Sequence, residues 1–326
     1  MTRRSLLMYL ALATALLVLS GLSLTAGRIW VPWSAWTQAG DPRWAIIFDL
    51  RLPRTLLGLM VGAVLGLAGA ALQGYTRNPL ADPGALGVSS MAAFGAVLTL
   101  YFGAGAAAPW IVSSAAMVMA FVGVVLLLLF AGVGSGLVTF VLSGVILQTL
   151  AAAGVDLALS LAPNPWAVNT IIDWLMGSLA DRSLDELRFA APFMVVGAVL
   201  LLFTGRALDA LTLGETTARS LGVNLRLTQV LLALGLALTA GASVAVTGVI
   251  SFVGLIVPHL VRPLVGGRPG ALLLPSALAG AVLVLAADIL VRLTPGAHEV
   301  KLGVAMSALG APFFFGLLVV LRRRLA

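Results

Sequence analysis

Residues 51–90 read RLPRTLLGLMVGAVLGLAGAALQGYTRNPLADPGALGVSS, and the fold class follows from their pattern. From Thr55 to Tyr75 no residue carries a charge, and the run reaches the ~20 residues that a helix needs to cross a bilayer. Gly58, Gly62, Gly66, Ala70 and Gly74 recur at every fourth position. They therefore share one helix face, where flush side chains let another helix approach closely; the same face could also border a translocation path. Two prolines in NPLADPG (78–84) then interrupt the helix, and a new apolar run opens at residue 87.

Outward from this stretch the pattern repeats. Apolar runs cover 5–26, 55–75, 87–103, 108–131, 137–161, 190–205, 228–247, 249–263, 271–291 and 303–321, which makes ten candidate spans. The run 249–263 is short and holds Pro258 and His259, so it reads as a broken or re-entrant segment, tolerated only where protein or a cavity surrounds it. The first run is longer than the ~7–15 residue core of a signal sequence and no small-residue cleavage site follows, so it reads as an anchored span. AGAALQG (68–74) and AGASVAVTG (240–248) are alike and both lead into proline-containing breaks. An inverted repeat relating spans 2–5 to 7–10 would account for that likeness.

Composition agrees. Of 326 residues, 61% are hydrophobic and 10% charged, against roughly 45–50% and 25% in a soluble domain, so the bilayer must take the excess apolar surface. The net charge of +7 could point to nucleic acid, but that needs a basic patch, and here the charges are spread through short loops. With both termini placed in the cytoplasm, eleven of the 19 basic residues fall inside and eight outside, in the sense of the positive-inside rule. The longer connections are then 27–50 and 162–189 outside and 206–227 inside. The first carries Trp30, Trp33, Trp36 and Trp44, suited to an interfacial aromatic belt; the second carries an amphipathic piece around Trp174, with Asp185 and Glu186 expected to be solvated. The expectation is one all-α membrane domain spanning 1–326.

Several chemistries are excluded. There is no cysteine, hence no disulfide, thiolate metal site or cysteine nucleophile. Lys301 is the sole lysine and lies in EVKLG with no glycine-rich loop before it, so the chain has no P-loop to hold ATP. His259 and His298 are far apart, which leaves no visible metal cluster, and no carboxylate pair forms a catalytic set. Asp288 sits in an apolar run and needs a partner. Arg292 at i+4 can supply it, or the carboxylate can serve function as buried membrane charges often do.

Four stretches together resemble the FecCD-type permeases, the membrane subunits of ABC importers for iron chelates, haem and cobalamin. They are residues 51–90, LGETTARSLGV (213–223), VTGVISFVGLIVPHLVR (246–262) and GVAMSALGAPFFF (303–315). The resemblance implies ten spans per subunit in an inner-membrane protein, a twofold dimer expected to pair two copies of this chain, two ATPase subunits on the cytoplasmic face and a solute-binding protein on the other. ATP and magnesium would belong to the ATPase, leaving this chain without a cofactor of its own and without catalytic residues.

The resemblance also assigns roles. Leu213, Gly214, Glu215, Thr216, Thr217, Ala218, Arg219, Ser220, Leu221 and Gly222 match the cytoplasmic coupling loop, where Gly214 would permit a sharp turn and Glu215 with the two threonine hydroxyls would cap a short helix. Asn78, Pro79 and Leu80 match the cytoplasmic gate, with Leu137 and Val138 beside them. The family often has small hydroxyl residues at the last two positions, so the gate here would be greasier. Arg51, Arg54 and Arg292 match external arginines that meet glutamates on the binding protein. Near the last span the family's Glu-x-Pro-x-Gly and later Thr are replaced by Glu299–Gly303 with Lys301 and by Met306. Lys301 would add positive charge at the external mouth and suit an anionic cargo. A stand-alone transporter driven by an ion gradient is the other reading, with Asp156 and Asp288 as its only candidate relays.

Overall fold

The structure, a computed structural model, describes residues 3–27, 29, 31–38, 40–104, 108–295 and 299–325; Arg28, Trp30 and His298 lie outside the described residues. Seven helices are long and apolar enough to cross a membrane, and three shorter apolar helices accompany them. In chain order they are α1 (Arg3–Thr25), α2 (Leu52–Thr76), α3 (Val88–Tyr101), α4 (Pro109–Ala131) and α5 (Leu137–Ser160). The short α6 (Pro165–Leu175) precedes α7 (Leu184–Phe203), and two small helices follow, α8 (Gly205–Leu211) and α9 (Glu215–Ser220). Helix α10 (Leu225–Leu236) runs through a π-helical turn at Ala237–Gly241 into α11 (Ala242–Thr247). The chain closes with α12 (Val253–Val261), α13 (Pro269–Leu293) and α14 (Leu302–Leu325).

Two of these elements form the interior. α2 and the α10–α11 unit are buried along most of their length, while α1, α5 and α7 keep apolar side chains exposed for lipid. No hydrophobic force drives helices together in lipid, so close packing must do it. The glycine face of α2 achieves this against α13. A Cβ at Gly62 would strike the Gly280 carbonyl oxygen, and one at Gly66 would strike that of Ser276. Gly69, on an adjoining face, meets the Gly254 backbone of α12 in the same way. Gln73, buried within α2, donates to the Gly254 carbonyl oxygen at 3.2 Å and accepts from Arg262 at 2.6 Å. The small-residue stripe is thus a backbone-to-backbone seam.

Three boundaries differ from those read in the sequence. Helix already runs from Arg43 through a π-helical turn at Ile46–Arg51 into α2, inside the stretch read as a connection. Helix α7 begins at Leu184 instead of 190, because Ser183 and Glu186 form a reciprocal capping box that starts the helix earlier. Glu186 is therefore a cap, not a solvated side chain, whereas Asp185 stays exposed beside Arg188 at 3.2 Å. The run 249–263 keeps only nine α-helical residues, about 13 Å of rise, followed by a 3₁₀ turn at Arg262–Leu264, because Gly248 and Phe252 adopt φ of 71° and 69° and hold the approach to α12 out of helix. That length crosses about half a bilayer, and the segment is buried as such a break must be.

Replacing Gly62 or Gly66 by leucine should prevent α2 and α13 from closing, since the obstacle is backbone and cannot rotate away. Size-exclusion profiles and thermal melts in detergent should show loss of the folded monodisperse species. Gly21→Ala, where nothing lies within 4 Å, should melt as the wild type does.

Candidate functional site

Three groups of residues mark the ends and middle of the bundle. At the C-terminal end of α2, Arg77 adopts a left-handed conformation (φ 51°) and ends the helix. Asn78 turns the chain by accepting the Leu80 N–H at 3.0 Å, and Pro79 and Leu80 are half-buried. The Tyr75 ring stands edge-on to Phe140 with centroids 5.6 Å apart, which brings this end of α2 to the start of α5, where Leu137 is half-buried and Val138 exposed. Asn78, Pro79, Leu80, Leu137 and Val138 are thus carried by neighbouring elements.

The rest of NPLADPG is no surface turn. Asp82 accepts the Gly84 N–H at 2.9 Å and starts a short 3₁₀ turn, Pro83–Leu86, whose Leu86 is fully buried. At Gly87 (φ 76°) a Cβ would lie 2.7 Å from the Gln148 N, eleven residues into α5 and so about 16 Å along it. The loop therefore dips to the middle of the bundle, and α3 starts there with fourteen residues, about 21 Å. Beside this break and the one preceding α12 lies a cavity of about 550 Å³ lined by Asp82, Ser89, Ser90, Gln148, Asp156 and Ser251 among others, with no basic side chain among the described residues. The N-termini of α3 and α12 border it and lend it partial positive charge, opposed by the two carboxylates.

The segment 213–222 follows α8, which packs on α13 and on the Gly74 end of α2. Gly214 (φ 94°, ψ 157°) makes the sharp turn into α9. Thr216, Thr217, Arg219, Ser220, Leu221 and Gly222 are exposed, as is Leu213, and Ala218 alone is buried as the anchor. Capping by Glu215 and the threonine hydroxyls does not occur: no side chain caps the helix, and Glu215 lies 3.8 Å from Arg219 across one turn. Two links tie this segment inward, and neither was legible in the sequence. Asp209 of α8 accepts the Gly270 N–H at 2.7 Å and so caps the start of α13. Gln229 of α10, fully buried, accepts the Gly134 N–H at 2.5 Å and donates to Ser135 at 3.3 Å, holding the loop that precedes Leu137 and Val138.

At the opposite end, Arg51, Arg54 and Arg292 do come together, but their guanidinium groups turn inward to carbonyls and carboxylates. Arg51 donates to the Leu24, Thr25 and Ile29 carbonyl oxygens at 3.0, 2.7 and 2.6 Å and closes the end of α1. Asp288, fully buried, lies between Arg54 and Arg292 and accepts from both, at 2.8 Å from Arg54 Nη2 and 2.9 Å from Arg292 Nε. Arg292 also reaches the Ser23 carbonyl and hydroxyl at 2.8 Å, and Arg54 is paired with Glu299. Of the two roles open to Asp288, pairing is the one realised, and Arg54 joins Arg292 in it. Lys301 lies 3.7 Å from Asp173, so its charge is partly neutralised and not left open at the mouth.

Asp288→Asn strips the charge that two buried guanidinium groups share, and loss of one member of such a set costs about 3–5 kcal/mol. Thermal unfolding in detergent should shift down by several degrees. Arg292→Met combined with Asp288→Leu should recover part of the loss, because no lone charge is then left at that pair.

Comparison with known proteins agrees with this architecture. The chain is 39% identical over 319 residues to the Fe(3+) dicitrate transport system permease protein FecD of Escherichia coli, covering 92% of this chain and 94% of that protein. It is 37% identical over 327 residues to the hemin transport system permease protein HmuU of Yersinia pestis, covering 98% and 94%. An inward-facing structure of a metal-chelate type ABC transporter superposes with a TM-score of 0.84 at 33% identity, over 96% of this chain and 98% of that one. Residues 15–321 match the FecCD transport family, and the chain is a multi-span permease belonging to that family.

Proposed function

We propose that this chain is the membrane subunit of a binding-protein-dependent ABC importer that carries a metal chelate across the inner membrane, both termini facing the cytoplasm. An iron chelate, either a siderophore complex or haem, is preferred over cobalamin. The observation that carries this reading is α9, a short polar helix exposed on all sides but one and seated on Ala218. A helix presented in this way suits the groove of a partner that turns it as a rigid body. The partner is an ATPase dimer, which brings ATP and magnesium; the chain pairs with a second copy of itself around the path.

The two internal links support how such a turn is used. Through Asp209 it reaches the start of α13, and through Gln229 it reaches the loop before Leu137 and Val138. Leu137 and Val138 then move relative to Asn78, Pro79 and Leu80, opening or closing an apolar plug below the 550 Å³ cavity. At the other end the binding protein offers carboxylates to the arginine cluster. Arg54 is the point of exchange, because its internal partner Glu299 is the more exposed of its two carboxylates, at 30% against 0% for Asp288. Arg51 and Arg292 hold α1 and α13 in place around it.

A transporter driven by an ion gradient would need a carboxylate free to take up and release protons. Asp288, locked between two guanidinium groups, is poorly suited to that work, which leaves Asp156 of the two carboxylates singled out in the sequence. Vesicles holding this chain without an ATPase should not accumulate a ferric chelate under a proton gradient; accumulation would overturn the proposal. With the ATPase and binding protein present, Glu215→Arg and Gly214→Pro should abolish ATP-driven uptake while membrane levels stay normal. Gln229→Leu should lower uptake at least about tenfold with ATPase binding intact, since the buried amide is a latch and not a docking surface. Arg54→Glu should weaken binding-protein docking, and the wild-type affinity should fall with added salt.

A further inference from the structure

We propose that a second cavity, between α3, α4, α6 and α7, seats the headgroup of one phospholipid that carries both a phosphate and a primary ammonium. This cavity of about 560 Å³ is separate from the one beside the two helix breaks and shares no lining residue with it. It opens among the first turns of α4 and α7, where these helices enter the apolar layer. Its walls include Trp110 and Trp174, the residue type that collects at the bilayer surface, and Ala245 of α11 contributes a small side chain to the lining. Helices α4 and α7 both pack on α11, and each carries exposed valines below the cavity, Val118 and Val125 on one and Val195 and Val199 on the other. An acyl chain laid along them meets the same surface that lipid already covers.

The polar lining gives the headgroup its signs. Arg182 makes no hydrogen bond among the described residues, and its Nε is buried without a partner. A guanidinium nitrogen buried in that state is costly, and a phosphate is the fork-shaped acceptor that satisfies it. Burial pulls Arg182 below its ordinary range, against the opposing pull of Glu186 and Asp181. On the same wall stand Asp185 and Glu186. These carboxylates would repel a headgroup of purely negative charge and attract an ammonium. A primary ammonium can donate hydrogen bonds to them, which a choline group cannot. Phosphate toward Arg182 and ammonium toward Glu186 match the sequence of charges in the wall.

The test is native mass spectrometry of the delipidated full chain offered phosphatidylethanolamine, phosphatidylglycerol or phosphatidylcholine at equal ratio. One phosphatidylethanolamine should stay bound at activation energies that strip the other two. Arg182→Gln should reduce the retained fraction about tenfold, and Arg206→Gln, which removes a cation in α8 just beyond the far end of α7, should not. Soluble phosphoethanolamine should fail to displace the bound lipid, since it lacks the chains. Equal retention of all three lipids, preference for phosphatidylglycerol, or retention unchanged in Arg182→Gln would each overturn the assignment. The comparison of three lipids on the wild type decides the matter even where the variant fails to fold.

Discussion

Everything in this molecule rests on the seam where α2 meets α13 and α12 with no side chain between. In lipid an apolar side chain gains nothing by leaving one neighbour for another, so helices hold together through contact density and backbone polarity. Glycine at 62, 66 and 69 removes the Cβ that would otherwise keep the backbones apart. The near approach also makes the seam stiff, because interpenetrating backbones leave neither helix room to slide. Polar links fasten it at both ends, Asp288 with Arg54 and Arg292 at one, Gln73 with Arg262 toward the other. A buried charge set is a poor source of net stability, yet it fixes register, since one helical turn of slippage would part Arg54 of α2 from Asp288 of α13.

Stiffness along the seam permits irregularity beside it. Non-helical backbone inside a membrane survives only where protein or a wet cavity meets its hydrogen-bonding groups. Both breaks in this chain, at 82–87 and 248–252, border the same cavity, and α3 and α12 start from them as partial spans. Fourteen and nine residues are too few to cross a bilayer, so their N-termini end at depth. The Gly84 N–H and the partial charges gathered there favour the Asp82 carboxylate, which has no basic partner among the described lining residues.

Much of this was legible in the amino-acid order. Apolar run length located every helix that crosses or partly crosses, and glycine spacing found the α2 seam, because both signals are local and periodic. The α7 boundary failed by six residues because charged Asp185 and Glu186 looked like loop, when a Ser183–Glu186 capping box places them in helix. What stayed hidden was pairing over long sequence distances. Asp209 with Gly270, Gln229 with Gly134 and Arg54 with Asp288 join positions that no window connects. The arginines were read by resemblance as outward-facing hands, and a lone sequence holds no sign that Leu24, Thr25 and Ile29 carbonyl oxygens wait for Arg51. Capping at α9 failed for a simpler reason: Gly214 has no side chain, and Glu215 reaches forward to Arg219 instead of back.

The two internal links from the α8–α10 region differ in what they can transmit, and the difference bears on any mechanism. Asp209 grips the start of α13, which belongs to the rigid seam, so a push there moves α2, α12 and α13 as one body. Gln229 grips a loop between α4 and α5, held by two hydrogen bonds and flanked by Gly132 and Gly134 in positive-φ conformations. That loop can follow α10 without dragging either long helix. The same displacement of α9 would therefore carry the end of α2 that bears Leu80 with the seam and the loop before Leu137 with α10. Relative motion at the proposed gate would then need no bending within a span, only unequal attachment of its two walls.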